Sequence, residues 1–546
     1  QKNNKLLFIH MIIGGLIIIL PLSLMFFYSY FGAEWMNHNW VIRYFTRFFK
    51  EYGHFPTVLN STNKGVGLSN PMYYGYLQYR ILSIGDMLLG SPRRAIIVTV
   101  VIGEIWAYET VSKAVLYILG NVKRAWFYAH ALIIMLFWTP YLFSNIYTEA
   151  IRMQYIALVL LYAAIGCWIC FLYSSGGCRV LYLSLMGMAI MIIAGTHPVT
   201  FEIGTLLLGA LIILTLPKTL KKMKRPLLVV IFGAILVLII IISMTPWLYA
   251  LADGRSANLK ITNGGHFMFG YGVANGPDLM SLFPVPYSEA VIEEGIYSAS
   301  GLRFGQISFP LLLVVIGSLI SLFRNKEISK GKKGRAIGIF TVCFIIWLLA
   351  VTDALVKPVT SHIFYSIQFR TRLIPYVDIL LFISAVYNIS LGKRQKDKAD
   401  SGLREGIYII TQYGIITACI SLFVFLAMSS KFVNYAEGNI SGIEAPENFY
   451  WNDDYADSSI TKASQRITDS CYAQRSISTE DDDKILADTT MYVNLPLAEN
   501  GIDVGSVTFE TEQDHMYVMT NIQCSPFNRL YLDDQLIKNE KLTRPC

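Results

Sequence analysis

Lys218-Thr-Leu-Lys-Lys-Met-Lys-Arg225 runs directly into Pro226-Leu-Leu-Val-Val-Ile-Phe-Gly-Ala-Ile-Leu-Val-Leu-Ile-Ile-Ile-Ile-Ser-Met-Thr245. Five cations in eight residues give way to twenty residues without a charge. A bilayer core takes roughly 20 apolar residues per helical crossing. Short Lys/Arg-rich loops stay on the cytoplasmic side. The stretch therefore reads as a membrane span entered from the cytoplasmic face.

Outward from it, the same alternation repeats. Apolar runs at roughly 7–29, 95–118, 124–143, 150–173, 179–195, 199–216, 226–247, 308–324, 336–353, 370–390 and 407–430 give eleven candidate spans. With Lys2 and Lys5 inside, the cations at Lys123/Arg124, Lys218–Arg225, Arg324–Arg335 and Lys393–Arg404 all fall inside as well. An odd count then puts the acidic tail after Ser430 outside, with the long polar loops Phe31–Ala95 and Ala250–Gln306. The expected fold is an all-α polytopic membrane protein. Residues 1–430 would form the transmembrane domain and 431–546 an acidic, partly β, extracytoplasmic domain. The cell membrane is the expected location, with a cytoplasmic N-terminus.

Composition fits a chain whose solvent is largely lipid: 54% of residues are hydrophobic and 15% are charged. The net charge of +7 is no nucleic-acid signal, because the cations cluster in the inner loops. The chain starts at Gln1, so a few residues are expected to precede it. Leu6–Phe27 has no small-residue cleavage site behind it and reads as a retained span. The eight cysteines make no framework. Cys167 and Cys170 have redox-motif spacing but sit inside an apolar helix, where cysteine is ordinarily small apolar filler. Cys471, Cys524 and Cys546 leave room for one disulfide in the tail.

In the first outer loop, Trp40, Tyr44 and Phe48 recur at helical spacing, which predicts an amphipathic helix over Asn39–Tyr52 that stops at Gly53. Alone it could be a basic surface helix against head groups. Gly65, Gly67 and Asn70-Pro71 then form a tight loop. Met72–Leu89 is apolar but carries Gln78, Arg80, Gly85 and Asp86 and four tyrosines, so it reads as an interfacial or re-entrant helix. After Thr489, short alternating runs such as Met491-Tyr-Val-Asn-Leu and Met516-Tyr-Val-Met predict strands.

Polar groups inside spans are functional candidates by default, because burying them in hydrocarbon costs a few kcal/mol. Glu104 and Glu109 qualify, and His197 sits between two short outer-facing hairpin spans. His197-Pro198 is equally a helix-end pair. Arg370 and Arg372 sit at the outer start of a span, where they either snorkel to head groups or clamp a phosphate with their bidentate forks. No His/Cys/Asp cluster has zinc spacing and no Walker loop occurs. The sequence names no cofactor, and dependence on a divalent metal is not legible in it.

The order of several motifs resembles one family. An aromatic helix with an Arg is followed by Gly53-His-Phe-Pro56, a Gly-rich stretch, Pro71-Met-Tyr73-Tyr74 and an interfacial helix closing on Gly90-Ser-Pro92. This is similar to the first outer loop of bacterial YfhO-like proteins, a branch of the GT-C-type polytopic glycosyltransferases. Thr139-Pro140-Tyr141-Leu-Phe-Ser-Asn145-Ile-Tyr147 and Ile367-Gln368-Phe369-Arg370-Thr371-Arg372 resemble two further segments of that branch. The resemblance covers about residues 5–430. It implies hexosyl or pentosyl transfer from a polyprenyl-phosphate-linked sugar at the outer interface to an envelope glycan or lipid, with membrane lipid as a further partner. It implies Arg43, Arg152, His197, Gln368, Arg370, Arg372, Tyr73 and Tyr74 as binding residues, and Glu34 or Glu149 as the carboxylate that activates the acceptor. The chain departs from the pattern at Met36 and Gln154, where the branch has acids. The rival readings are a lipid-linked saccharide transporter and a non-catalytic assembly scaffold. A transporter favours polar sites at the midplane, whereas the polar candidates here lie at outer span ends.

Overall fold

The computed structural model describes residues 2–27, 35–56, 75–120, 122, 124–148, 152–221, 223, 226–256, 307–326, 328–351, 370–391, 401–440, 489–493, 517–520, 531–533 and 535–536. Fourteen α-helices cover most of them. They are α1 Lys2–Phe27, α2 Trp35–Tyr52, α3 Tyr76–Leu89, α4 Pro92–Leu119, α5 Ala125–Phe137, α6 Pro140–Phe143, α7 Arg152–Tyr173, α8 Gly177–Ala194, α9 Pro198–Leu220, α10 Pro226–Ser256, α11 Phe309–Arg324, α12 Lys330–Val351, α13 Ile374–Ser390 and α14 Ser401–Ile440. A π-turn over Ser144–Thr148 continues α6, and a 3₁₀ turn over Arg370–Leu373 leads into α13.

All the predicted spans fall on these helices. Among the described residues, eight helices are long and apolar enough to cross a membrane, or nine if the bent pair Ala125–Phe137 and Pro140–Tyr147 counts as one. Phe309–Arg324 and Ile374–Ser390 are shorter apolar helices. The predicted interfacial segment is the 14-residue helix α3, closed at both ends by left-handed glycines, Gly75 at φ 72° and Gly90 at φ 69°. At 1.5 Å per residue it is about 21 Å long, short of a hydrocarbon core of roughly 30 Å.

By its contacts the chain divides into two units. One comprises Gln1–Trp35, Ile97–Ile240 and Phe267–Gly442; the other comprises Met36–Ile96, Ile241–His266 and Ile443–Cys546. The first is a helical bundle in which α7 packs on α8 and α9, and α11 on α13 and α14. Helix α1 contains Pro21. A proline cannot donate to the carbonyl four residues back, which here is that of Ile17. In lipid such a group needs another donor, and Trp138 Nε1 supplies it at 3.0 Å. Tyr147 donates to the Pro21 carbonyl itself.

In the second unit, α2 and α3 pack together through Ile42, Phe45, Thr46, Tyr79 and Ser83. Ser83 Oγ donates to the Ile42 carbonyl at 3.1 Å. His38 Nδ1 meets the Tyr79 hydroxyl at 2.9 Å. The amphipathic helix predicted over 39–52 is thus real, and Arg43 and Arg47 lie on its exposed face. Strands β1 Thr489–Val493 and β2 Tyr517–Thr520 pair in parallel, and β3 Tyr531–Leu532 pairs antiparallel with β4 Gln535–Leu536. Two predicted strand segments therefore do pair. The run from Ser506 lies outside the described residues.

Candidate functional site

Several helix ends of the bundle carry buried polar side chains. Arg152 opens α7 with only 2% of its surface exposed. Arg372, in the turn before α13, is 8% exposed. Neither is a snorkelling residue, because a snorkelling cation keeps its head in water.

Tyrosines link the two arginines. Tyr147 is within electrostatic reach of Arg152 and Glu104. Tyr155, one turn into α7, donates its hydroxyl to Glu104 Oε1 on α4. Tyr162 lies in the electrostatic field of Asp378 and Tyr376. The Tyr376 hydroxyl faces Thr200, with Tyr141, Arg372 and Glu202 around it. Gln154 Nε2 donates to the Tyr141 hydroxyl at 2.9 Å. A polar seam thus runs through an apolar bundle from Arg152 by way of Glu104 to Tyr376 and Arg372, hydrogen-bonded at Tyr155–Glu104 and Gln154–Tyr141 and linked elsewhere by electrostatic proximity.

Helix capping sets its edges. His197 Nδ1 accepts from the Thr200 backbone N–H at 3.1 Å and meets Thr200 Oγ1 at 2.8 Å, with Pro198 in the first turn of α9. The helix-end reading of His197 therefore holds, and Thr200 carries the seam on to Tyr376. Ser308 caps α11 and donates its backbone N–H to Asp378 Oδ1 at 2.7 Å. Its hydroxyl donates to the Met135 carbonyl at 3.0 Å.

Among the described residues, both amide atoms of Asn145, Gln154 Oε1, Glu104 Oε2 and Asp378 Oδ2 are buried without a hydrogen-bond partner. Buried polar atoms of this kind ordinarily find a partner in protein or water. Gln154, Glu104 and Asp378 are also the residues whose other polar contacts are described above.

Of the residues the sequence nominated, Arg152, His197 and Arg372 belong to this seam. Arg43 lies on α2 in the second unit, exposed. Arg370 is in the turn before α13, but its side chain lies outside the described residues, as do Glu34, Tyr73, Tyr74, Glu149 and Gln368. The sequence reading missed Asp378, Tyr155 and Tyr376. For Asp378 a signal existed, since it is an acid inside an apolar span. The tyrosines gave none, because tyrosine is ordinary in such helices.

A second polar cluster ties α1, α4 and α5 together. His130 Nδ1 donates to the Trp126 carbonyl at 2.7 Å. That leaves Nε2 to accept from His10 Nδ1 at 3.0 Å. His10 Nε2 meets Glu109 Oε1 at 3.1 Å, and the Tyr108 hydroxyl donates to the His10 carbonyl at 2.9 Å. In the second unit, Arg80 stacks over the Tyr76 ring at 3.9 Å, and burial lowers its pKa from the ordinary guanidinium value. Among the described residues no group of three His, Cys, Asp or Glu is placed to hold a metal ion.

No protein-family profile and no curated protein matches the chain. Two solved structures are similar to it at low level. They are ArnT from Cupriavidus metallidurans in the apo state, 10% identical, and the same protein bound to undecaprenyl phosphate, 11% identical. Both have a TM-score of 0.32 and cover 71% of this chain, with 78% and 77% of their own length matched. Similarity at that level carries no functional weight, so the argument for the site rests on its own side chains.

Proposed function

We propose that this chain is a membrane glycosyltransferase of the YfhO-like, GT-C kind, taking a sugar from a polyprenyl-phosphate carrier at the outer interface and passing it to an envelope glycan or glycolipid. Eleven crossings, a cytoplasmic N-terminus and an extracytoplasmic 431–546 domain belong to the same reading. The observation that carries it is the pair of buried cations, Arg152 and Arg372, joined to one seam at the helix ends that this topology assigns to the outer leaflet. A lipid phosphate at head-group depth needs such cations, and Arg forks grip it with two bonds at once. The unsatisfied amides of Asn145 and Gln154 suit sugar hydroxyls.

The test is binding of a polyprenyl phosphate to the full chain in nanodiscs. Arg152→Ala and Arg372→Ala should each weaken it about tenfold to a hundredfold, since a hydrogen bond to a charged group is worth roughly 1.5–3 kcal/mol. Arg372→Lys should recover part of the loss. Wild-type binding by both alanine variants would remove the phosphate site from this seam. The carboxylates separate enzyme from scaffold. Glu34→Gln or Glu149→Gln should cut glycosyl transfer at least about a hundredfold while lipid binding persists. If neither does, the scaffold or transporter reading takes over.

A further inference from the structure

Away from the polar seam, α11 and α12 form an open apolar groove of about 510 Å³. Its lining is Ile316, Leu319, Ile320, Phe323 and Arg324 on α11 and Phe340 on α12. The α11 residues follow the i, i+3, i+4, i+7 pattern of one helix face. Ile316, Ile320 and Phe323 are all more than 40% exposed, so among the described residues no element covers them.

The groove differs in polarity between its two ends. One end is hydrocarbon alone. At the other, Arg324 belongs to the lining itself, and Lys333 reaches from the first turn of α12 to the Phe323 carbonyl at 3.2 Å, its ammonium 5.8 Å from the Phe323 ring. Lys326 in the intervening loop and Lys330, Lys332 and Arg335 at the start of α12 add to them, against a single acid, Glu327. The Ser308 end of α11, which faces Asp378, lies a helix length away, about 24 Å for sixteen residues. This groove is therefore separate from the proposed transfer site.

We propose that the groove is a binding site for one anionic phospholipid, its acyl chain along Ile316, Ile320 and Phe340 and its phosphate against Arg324 and Lys333. An apolar trough inside a bilayer takes hydrocarbon by contact alone and is indifferent to the head group. The cations at one end supply the discrimination, because anionic head groups attract Lys and Arg near the surface. A zwitterionic lipid fits the same trough but gains little from the charge.

The experiment is native mass spectrometry of the full chain titrated with dioleoyl phosphatidylglycerol or dioleoyl phosphatidylcholine. A photo-crosslinking residue at position 320 reports occupancy directly. Wild type should retain phosphatidylglycerol at least about fivefold better than phosphatidylcholine, and Arg324→Gln should remove about fivefold of that preference. Ile320→Trp, which fills the trough, should reduce crosslink-independent retention of both lipids. Inorganic phosphate at about 10 mM, present before irradiation at about 0.15 M ionic strength, should not reduce crosslinking of the lipid; a reduction would mean a simple phosphate site. Because Arg324 is exposed at a helix end, its variant is expected to fold, and the position-320 crosslink reads the site without altering the cations. Equal retention of the two lipids by wild type, or an unchanged preference in Arg324→Gln, would overturn the proposal.

Discussion

Helices α7 and α10 are both apolar and both long enough to cross a bilayer, yet 89% of the central stretch of α7 is buried in protein and only 6% of that of α10. A stronger hydrophobic drive is not what buries α7, because α10 is the more apolar of the two, and hydrocarbon is as apolar as leucine and gives helices no hydrophobic reason to associate. What separates them is size and polarity. Helix α7 carries Gln154, Tyr155 and Tyr162 together with the small residues Ala157, Ala163, Ala164 and Gly166. Over Pro226–Thr245, α10 is mostly leucine, isoleucine and valine. Small residues let backbones approach, and polar ones need partners that lipid lacks. The interior of this protein is therefore marked by its less greasy helix.

The sharpest way to break that comparison is to exchange the glycines. A Cβ on Gly166 would lie 2.7 Å from the Thr110 carbonyl carbon and 2.8 Å from the Val111 nitrogen, both backbone atoms that cannot swing aside. A Cβ on Gly233 in α10 meets nothing within 4 Å. Gly166→Ala should cost about 1–3 kcal/mol through overpacking, and Gly166→Val should leave little folded protein. Gly233→Ala should be neutral or mildly stabilising. Thermal unfolding in detergent measures both. Equal effects at the two positions would mean that α7 is not held by close backbone approach.

The next largest effect concerns the polar half of the argument. Tyr155 donates to a glutamate that is 1% exposed. Tyr155→Phe keeps the ring and removes the donor, leaving Glu104 short of a partner, at a cost of about 1–3 kcal/mol. Tyr117→Phe, on a tyrosine stacked 5.7 Å from Tyr173, should be nearly silent by the same assay. A silent Tyr155→Phe would detach Glu104 from the seam's stability.

These cases also show what sequence could and could not say. Span positions were legible because length and hydropathy act locally, and each predicted run falls on helix, the 124–143 run on the bent pair α5 and α6. The amphipathic helix over 39–52 was legible from its aromatic spacing, and its buried face is the one carrying Phe45 and Phe48. Cys167 and Cys170 are buried free thiols, as filler would be. Glu104 stood out as an acid in a span, but its partner did not, since 51 residues separate it from Tyr155 and only tertiary packing joins them. The same holds for Ser308 and Asp378, 70 residues apart. Arg372 admitted two readings at a span end, and its 8% exposure could not be read from the sequence, because it is set by tertiary packing.

The smallest effect tests whether an isolated polar contact in the bundle behaves like the seam. Asn388 Nδ2 on α13 donates to Ser318 Oγ on α11 at 2.9 Å, and both residues are fully buried. The contact resembles those of the seam in burial but is made of two neutral groups. Interhelical hydrogen bonds of that kind in membrane proteins average only about 0.6 kcal/mol, with a maximum near 1.7, because the unfolded chain in the membrane also finds partners. A double-mutant cycle with Ser318→Ala and Asn388→Ala should therefore return a coupling of about 0.6 kcal/mol, well below the loss expected for Tyr155→Phe. Each single variant alone mixes this coupling with the cost of stranding the other side chain, which is why the cycle is needed. A coupling as large as the Tyr155 effect would show that burial alone sets the strength of these contacts, and the carboxyl group of Glu104 would lose its special place in the bundle.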